Sequence, residues 1–316
     1  MRTIVVGSRQ SSLALTQTGQ VIEQLQQLCR ENGLDWQFKV HKIVTKGDRI
    51  LDVTLSKVGG KGLFVKEIEQ ALLDGVIDIA VHSMKDVPSE RQQGLILGAI
   101  PKRVDPRDCI ISNGHVKLDE LPEGALIGTS SLRRAAQIKA YRPDLRIESI
   151  RGNIDSRIRK LTSEGFDAIV LAAAGLQRMG WLDRVSQFLP PELCLPAVGQ
   201  GALGVECRES DAELVKLLAH YNDLESAETV QAERSFLARL NGGCQVPIAA
   251  YAEKFREPVS QSSSIRLTGL VGEPGGSVIL QETMTGDDPQ QLGRKLADEL
   301  AARGAEEILA KVREAL

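Results

Sequence analysis

Apolar runs of strand length alternate with amphipathic helical stretches from the first residues onward, and this alternation restricts the fold more than any other feature. Residues 3–6 read as a buried strand and residues 7–11, Gly-Ser-Arg-Gln-Ser, as a turn. Val21, Leu25 and Leu28 then recur at i, i+4 and i+7, the spacing of one helix face. Trp36, Phe38 and Val40 alternate with Gln37, Lys39 and His41, the period of a half-buried strand. A basic glycine loop at 56–62 leads into a helix with core face Phe64, Ile68, Ala71 and Leu72. The apolar run 76–81 ends in His82-Ser83-Met84-Lys85-Asp86-Val87-Pro88. Alternation of this kind predicts a mainly parallel α/β sheet. Ligands of such sheets bind beyond the carboxyl ends of the strands, where the turns at 8–11 and 83–86 fall.

Pro101 and Asp105-Pro106 mark a first linker, after which the pattern starts again. A strand enters Gly128-Thr129-Ser130-Ser131-Leu132-Arg133-Arg134, with Ser130 or Ser131 as helix N-cap. Strands follow around 146–150 and 167–171, with a helix starting at 172–179. Pro190-Pro191 and Pro196 mark another crossover, and residues 202–206 return as a strand to the first unit. From about 223 the pattern becomes α+β: a helix at 229–240, strands at 265–271 and 278–285, and helices over 292–316 broken near Gly304. The expected domains are 1–101 with 202–220, then 102–201, then 221–316. No internal repeat is visible.

Length allows two domains, or three small ones. A hydrophobic content of 42% and a charged content of 26% are those of a globular chain rather than a disordered one. A net charge of −3 argues against a nucleic-acid coat protein. There is no positive, then apolar leader of the secretory kind and no apolar stretch of about 18 residues, so neither export nor a membrane span is expected. Cys29, Cys109, Cys194, Cys207 and Cys244 are scattered, without a C-x-x-C pair, and the histidines at 41, 82, 115 and 220 are dispersed. A reduced, cytoplasmic, metal-free protein is the expectation.

The segment 133–160 concentrates nine Lys or Arg against three acids. Arg133 and Arg134 stand in the first turn of a predicted helix, where the macrodipole disfavours cations unless an anion binds there. Guanidinium forks pair bidentately with carboxylates, so Arg133, Arg134, Arg151 and Arg157 point to a polycarboxylate ligand. Lys139, Arg142, Arg146 and Lys160 fit a solvated face. Asp86 is open to two readings: a general acid or base that also holds a cationic nitrogen, or a turn-forming residue before Val-Pro. Cys244 in Asn241-Gly-Gly-Cys-Gln-Val-Pro247 is likewise either a presented thiol on a tight loop or a small buried hydrophobe. Gly199-Gln-Gly-Ala-Leu-Gly204 fits G-x-G-x-x-G but lacks the strand before and helix after that a dinucleotide needs. Lys57 and Lys61 sit among glycines without a phosphate-loop pattern. No nucleotide is expected.

Taken in order, Ser8-Arg-Gln-Ser11, Val58-Gly-Gly-Lys-Gly-Leu-Phe64, Val81-His-Ser-Met-Lys-Asp-Val-Pro88, Gly128-Thr-Ser-Ser-Leu-Arg-Arg134, Arg151-Gly-Asn153, Leu195-Pro-Ala-Val-Gly-Gln-Gly201 and Gly242-Gly-Cys-Gln-Val-Pro247 closely resemble the hydroxymethylbilane synthase (porphobilinogen deaminase) family. The resemblance covers about residues 3–250 and is weaker beyond. It implies two periplasmic-binding-protein-like α/β domains joined by hinge segments, plus a small α+β C-terminal domain. It implies a monomeric transferase that joins four porphobilinogen molecules head to tail with loss of ammonia, then releases hydroxymethylbilane by hydrolysis. By the match, Cys244 carries a dipyrromethane cofactor through a thioether, and Asp86 stabilises positive charge on pyrrole nitrogens and assists proton transfer. Arg9, Gln17, Ser83, Lys85, Thr129, Ser130, Ser131, Arg133, Arg134, Arg151, Arg157 and Arg178 would hold acetate and propionate arms. Ser11, Lys57, Lys61, Gly152, Gln200 and Gly201 complete the binding set, and segment 56–62 would be a lid. No family position is altered.

A non-catalytic anion-binding protein on the same two-lobed fold accounts for the arginines but gives the Gly-Gly-Cys loop no role. RNA binding is disfavoured by the small number of aromatic residues available for stacking, three Tyr, two Trp and six Phe in the whole chain.

Overall fold

The computed structural model describes residues 1–49, 62, 65–243, 246–256 and 263–315. Lys57, Lys61, Phe64 and Cys244 lie outside the described residues, as does nearly all of the expected lid. By packing, the chain divides into two units. Of the described residues, one unit comprises 1–49, 62, 65–104 and 202–227; the other comprises 105–201, 228–243, 246–256 and 263–315.

In the first unit, β1 (Arg2–Arg9) carries Ile4 and Val6 against Val21, Leu25 and Cys29 of α1 (Ser12–Glu31), all at most 2% exposed. Ser11 caps α1 by accepting from the Ala14 amide at 3.3 Å. Strand β1 runs on through Gly7, Ser8 and Arg9, where the sequence predicts a turn. The reason is β2 (Trp36–Ile43), which pairs in parallel along all of β1, down to Arg9 beside Ile43. Strand β2 is an edge strand, so its alternation is incomplete and Val40 is 39% exposed. After α2 (Lys46–Arg49) and α3 (Lys66–Leu73) come β3 (Ile79–Ser83), a 3-10 turn Met84–Asp86 and β4 (Leu95–Ala99). The sheet order is β2-β1-β3-β10-β4, where β10 (Leu203–Arg208) returns after the whole of the next α/β unit and runs antiparallel to both neighbours.

In the second unit the strands are β5 (Asp108–Ser112), β6 (Leu126–Gly128), β7 (Arg146–Glu148), β8 (Ala168–Ala172) and β9 (Gln187–Leu189). Between them lie α4 (Leu132–Tyr141), α5 (Ile154–Ser163) and α6 (Ala173–Met179). The order β7-β6-β8-β5-β9 repeats that of the first sheet, with β5 now the antiparallel strand. Each sheet is mainly parallel, as expected, with four strands running one way and one strand reversed. In both, the odd strand is the one that enters from the other unit's stretch of chain. The fold is the anticipated pair of α/β sheets, and the repetition is one of topology rather than sequence.

Helix α7 (Ala212–Tyr221) packs Leu214, Leu217 and Leu218 onto the first sheet. Helix α8 (Leu224–Arg239) then leads into a three-stranded antiparallel sheet of β11 (Ile248–Arg256), β12 (Ser263–Gly272) and β13 (Ile279–Gly286), covered by α9 (Pro289–Ala302) and α10 (Ala305–Glu314). Gly304, at φ 99°, separates the last two helices where the sequence predicts a break. Strand β11 is absent from the sequence reading because Ala249, Ala250 and Ala252 carry weak strand signal. Nine paired residues along β12 supply what propensity does not. Phe236 of α8 is fully buried among Ile265, Leu267, Leu296, Leu300 and Leu309. No helix among the described residues is long and apolar enough to cross a membrane.

Phe236→Ala should lower stability by about 3–5 kcal/mol, the usual result of emptying an aromatic core site, read as a shift in the urea midpoint. A change below about 1 kcal/mol would mean this core is not closely packed.

Candidate functional site

In the first unit, Arg9, Ala14, Gln17, Val65, Val81, His82, Ser83 and Asp86 line a narrow cavity of about 30 Å³ at the carboxyl ends of β1 and β3. That volume is enough to seat water. Gln17, 4% exposed, and Ser83 exchange hydrogen bonds through Nε2 to Oγ at 3.2 Å and Oγ to Oε1 at 3.4 Å. Arg9 is paired to Asp48, its Nε donating at 3.1 Å. Burial raises the Asp48 carboxyl, but Arg9 and two Thr45 donors outweigh it and hold the group below the ordinary range. The turn bearing Lys85 and Asp86 is fixed by the Met84 amide, which donates to the Ala202 carbonyl at 3.0 Å. Met84 is 1% exposed and crosses Gly204 so closely that a Cβ there would meet its sulfur at 2.4 Å. Asp86 is half-buried, and no hydrogen bond or ion pair engages its carboxylate among the described residues.

Also in this cavity wall, His82 Nε2 lies 3.0 Å from Glu206 Oε2, with both side chains almost fully buried. The sequence reading passed over both residues. A charge inside the apolar strand Leu-Gly-Val-Glu-Cys was the available signal for Glu206.

In the second unit, the exit of β6 builds a helix N-terminus. Ser131, rather than Ser130, caps α4 by accepting from the Arg134 amide at 3.4 Å. Ser130 instead donates to the Ile150 carbonyl at 2.6 Å and meets Ser149 Oγ at 2.8 Å, which ties the turn to the end of β7. Thr129 accepts from the Ser131 amide at 3.2 Å. Arg133 and Arg134, only 4% and 6% exposed, both turn inward onto Asp108, which is 0% exposed. Arg133 Nη1 donates to Asp108 Oδ2 at 2.7 Å and to the Leu195 carbonyl at 2.7 Å. Arg134 donates to Asp108 Oδ1 through Nη2 at 2.7 Å, and to the Val170 carbonyl at 2.9 Å. Gln200 Nε2 joins the same Oδ1 at 2.9 Å and reaches the Pro106 carbonyl at 2.7 Å. A ligand role for these two arginines therefore means sharing them with Asp108.

Arg151 is different, since its Nη1 is buried and has no hydrogen-bond partner. Gly152 beside it has φ 114°, and a Cβ there would stand 2.7 Å from that of Ser156, so the turn needs glycine. Arg157 Nε donates back to the Gly152 carbonyl at 2.9 Å, and Arg178 Nη2 donates to the Gly201 carbonyl at 2.8 Å. An orphaned buried guanidinium N–H is an anion site in waiting, so carboxylate arms of a dipyrromethane fit this set. The wider mechanism of Gly201 and Gln200 is that of a crossing segment: the Gly199 amide donates to buried Glu233 at 2.7 Å, whose other oxygen accepts from the Ala252 amide at 2.8 Å.

Cys244 itself is outside the described residues, yet both flanks are held. Arg313 donates to the Leu240 and Asn241 carbonyls at 3.0 and 3.1 Å, and the Pro247 carbonyl accepts from Gly272 at 3.1 Å. Asn241 is one of two non-glycine residues with positive φ among those described, at 50°. The other four cysteines are buried. Burial pushes Cys109, Cys194 and Cys207 up to about 12, which makes them poor nucleophiles. No group of three or more metal-ligating side chains occurs among the described residues.

Residues 4–216 match the family model "Porphobilinogen deaminase, dipyromethane cofactor binding domain", and residues 227–302 match "Porphobilinogen deaminase, C-terminal domain". Porphobilinogen deaminase of Paenibacillus macerans is 61% identical over 317 residues, covering 96% of this chain and 98% of the relative. The Bacillus velezensis protein of the same name is 58% identical over 100% of this chain and 98% of its own. Among solved structures, a YaeC-family lipoprotein from Enterococcus faecalis aligns over 72% of this chain and 93% of its own at 16% identity, with a TM-score of 0.42.

Asp108→Asn should cost about 3–5 kcal/mol at neutral pH, because it leaves two buried guanidiniums facing a neutral amide. Although burial raises the Asp108 carboxyl, Arg133 and Arg134 overcome this and hold it far below the ordinary value. The stabilisation it contributes is therefore complete above about pH 4 and fades as pH falls further. The gap between urea titrations of wild type and variant should begin to narrow below that pH and keep narrowing as pH falls well beyond it; a gap that stays constant would contradict the assignment.

Proposed function

This chain belongs to the porphobilinogen deaminase family, and on that premise we propose how its own residues divide the work. The enzyme is a transferase of porphyrin biosynthesis that condenses four porphobilinogen molecules with release of ammonia and yields hydroxymethylbilane. The reading that follows rests on one observation above all: a half-buried carboxylate, Asp86, stands without a competing partner among the described residues, in a cavity at the strand ends.

Loss of ammonia leaves the porphobilinogen ring electron-poor and positively charged. Asp86 stabilises that charge through the pyrrole N–H and accepts a proton as joining completes, an effect magnified where water is scarce. Arg9, Gln17, Ser83 and Lys85 orient the substrate's acetate and propionate around it, with Ser11 shaping the turn. When bound, the dipyrromethane supplies the pyrrole carbon on which the product is built. Cys244 anchors it through a thioether, a bond that survives turnover because carbon–sulfur cleavage has no good leaving group there. Arg151, with its unpartnered Nη1, Arg157, Arg178 and the Thr129–Ser131 turn hold its carboxylates. Arg133 and Arg134 present a positive field fixed by Asp108, and Gln200 and Gly201 brace the crossing segment. Lys57 and Lys61 add charge from the basic loop.

The gap between the two matched spans, 216 to 227, supports ending the α/β part near 220, hence three domains at 1–101 with 202–220, 102–201 and 221–316. A cytoplasmic monomer that needs no metal, nucleic acid or membrane completes the reading.

Intact mass distinguishes the anchor. Wild type should exceed its calculated mass by two linked pyrroles and Cys244→Ser should not; an equal excess in both would place the attachment elsewhere. Asp86→Asn should keep that excess while losing at least about 100-fold in kcat, the lower range for a proton-transferring group. Turnover near wild type would remove Asp86 from its role.

A further inference from the structure

The cavity wall that holds Asp86 also holds a buried imidazole that the proposed mechanism leaves unused. His82 sits on β3 and Glu206 on β10, two residues apart in the antiparallel register, since His82 faces Gly204 and Ala80 faces Glu206. Side-chain exposures of 5% and 2% make this a desolvated pair. A carboxylate only accepts, so in the tautomer with the proton on Nε2 the ring donates to Glu206 and Nδ1 is an acceptor. Nδ1 has no partner among the described residues, and His82 is one of the residues that line the cavity shared with Asp86.

Helix α3 packs on β3 and β10 and brings Glu69 and Lys66 near this pair. Burial first, and the charge of Glu206 second, raise the Glu69 carboxyl, while His82 and Lys66 oppose the shift. From β1, Arg9 is a further charged residue lining the cavity. The imidazole thus has acidic groups beside it and shares a cavity with Asp86.

We propose that His82, held by Glu206, is a positioning residue that acts through Asp86 by taking over the proton Asp86 collects at each condensation. This rests on the reading of Asp86 given above. The balance of each joining step requires such a sink. The carbon–nitrogen bond of porphobilinogen breaks and its electron pair leaves with ammonia. A carbon–carbon bond then forms, and the attacked ring position loses one proton, its C–H electrons restoring the pyrrole. Asp86 takes that proton. It passes through cavity water to His82 Nδ1, where the imidazolium is stabilised by Glu206, and then leaves to solvent, so that Asp86 is a carboxylate again for the next unit.

The test uses holoenzyme whose cofactor load is verified by mass, and follows bilane formation from porphobilinogen against pH. In wild type, kcat should fall on the acid side of the profile, where a proton acceptor is lost. His82→Gln should lose roughly 10- to 100-fold in kcat with KM little changed, and that acid limb should vanish. Glu206→Gln preserves shape but removes the charge that favours imidazolium, so its limb should move to lower pH. The second variant carries the test if the first does not fold. A Glu206→Gln profile that superimposes on wild type, or a His82→Gln defect confined to KM, would overturn the proposal. Asp86→Asn separates the two readings. If it is inactive while the His82 and Glu206 variants keep the wild-type profile, only the relay fails; if it is active, the reading of Asp86 fails first.

Discussion

A carboxylate with no exposure at all, Asp108, holds two guanidiniums, an amide and a thiol at once, and the second unit's site depends on it. Desolvation of such a group is severe, and it is tolerated only because each oxygen is multiply bonded. Its partners come from α4 and from the segment that crosses back to the first unit. The exit turn of β6, the helix that starts there and residues 194–200 are thereby locked into one arrangement. Glu233 does a second fastening, clamping Gly199 to Ala252 through two backbone donors.

The two sheets share more than strand order. In each, the single antiparallel strand carries a buried acid: Asp108 on β5 and Glu206 on β10, at 0% and 1% exposure. Each acid draws in a cationic or protonatable group from an element that also bears site residues, Arg133 and Arg134 in one sheet and His82 in the other. A strand flanked on both sides and covered on both faces allows a charge only when it is paired. The acid and its partner then fix the position of the turn nearest the ligand. Met84 against Gly204 does the same by shape in the first unit, where the absence of a side chain lets the Asp86 turn lie close to β10.

Much of this was legible in the chain. The order of strands and helices, the break at Gly304 and the N-cap at the Thr129–Ser131 turn follow from periodicity and local sequence, and the grouping of Arg9, Gln17, Ser83 and Asp86 follows from the family resemblance. Strand β11 was not, because alanines pair well only when a neighbour offers a full register. Nor was the inward turn of Arg133 and Arg134: their helix position argues for an anion, but the anion nearest them is the protein's own Asp108, about 25 residues earlier in the chain. Glu206 and His82 escaped notice since their meaning lies in a pairing 124 residues apart.

The amino-acid sequence by itself determined the alternating α/β pattern, the family and the residue types that carry the chemistry, because these depend on local spacing and on motifs read along one chain. The tertiary structure alone decided which strand runs backwards in each sheet, which arginines are spent on an internal carboxylate, and which acid stands behind the histidine. Those outcomes are set by desolvation. Burial forces each charge to find a partner, and the partner is chosen by whatever the fold brings within hydrogen-bonding distance, not by proximity in sequence.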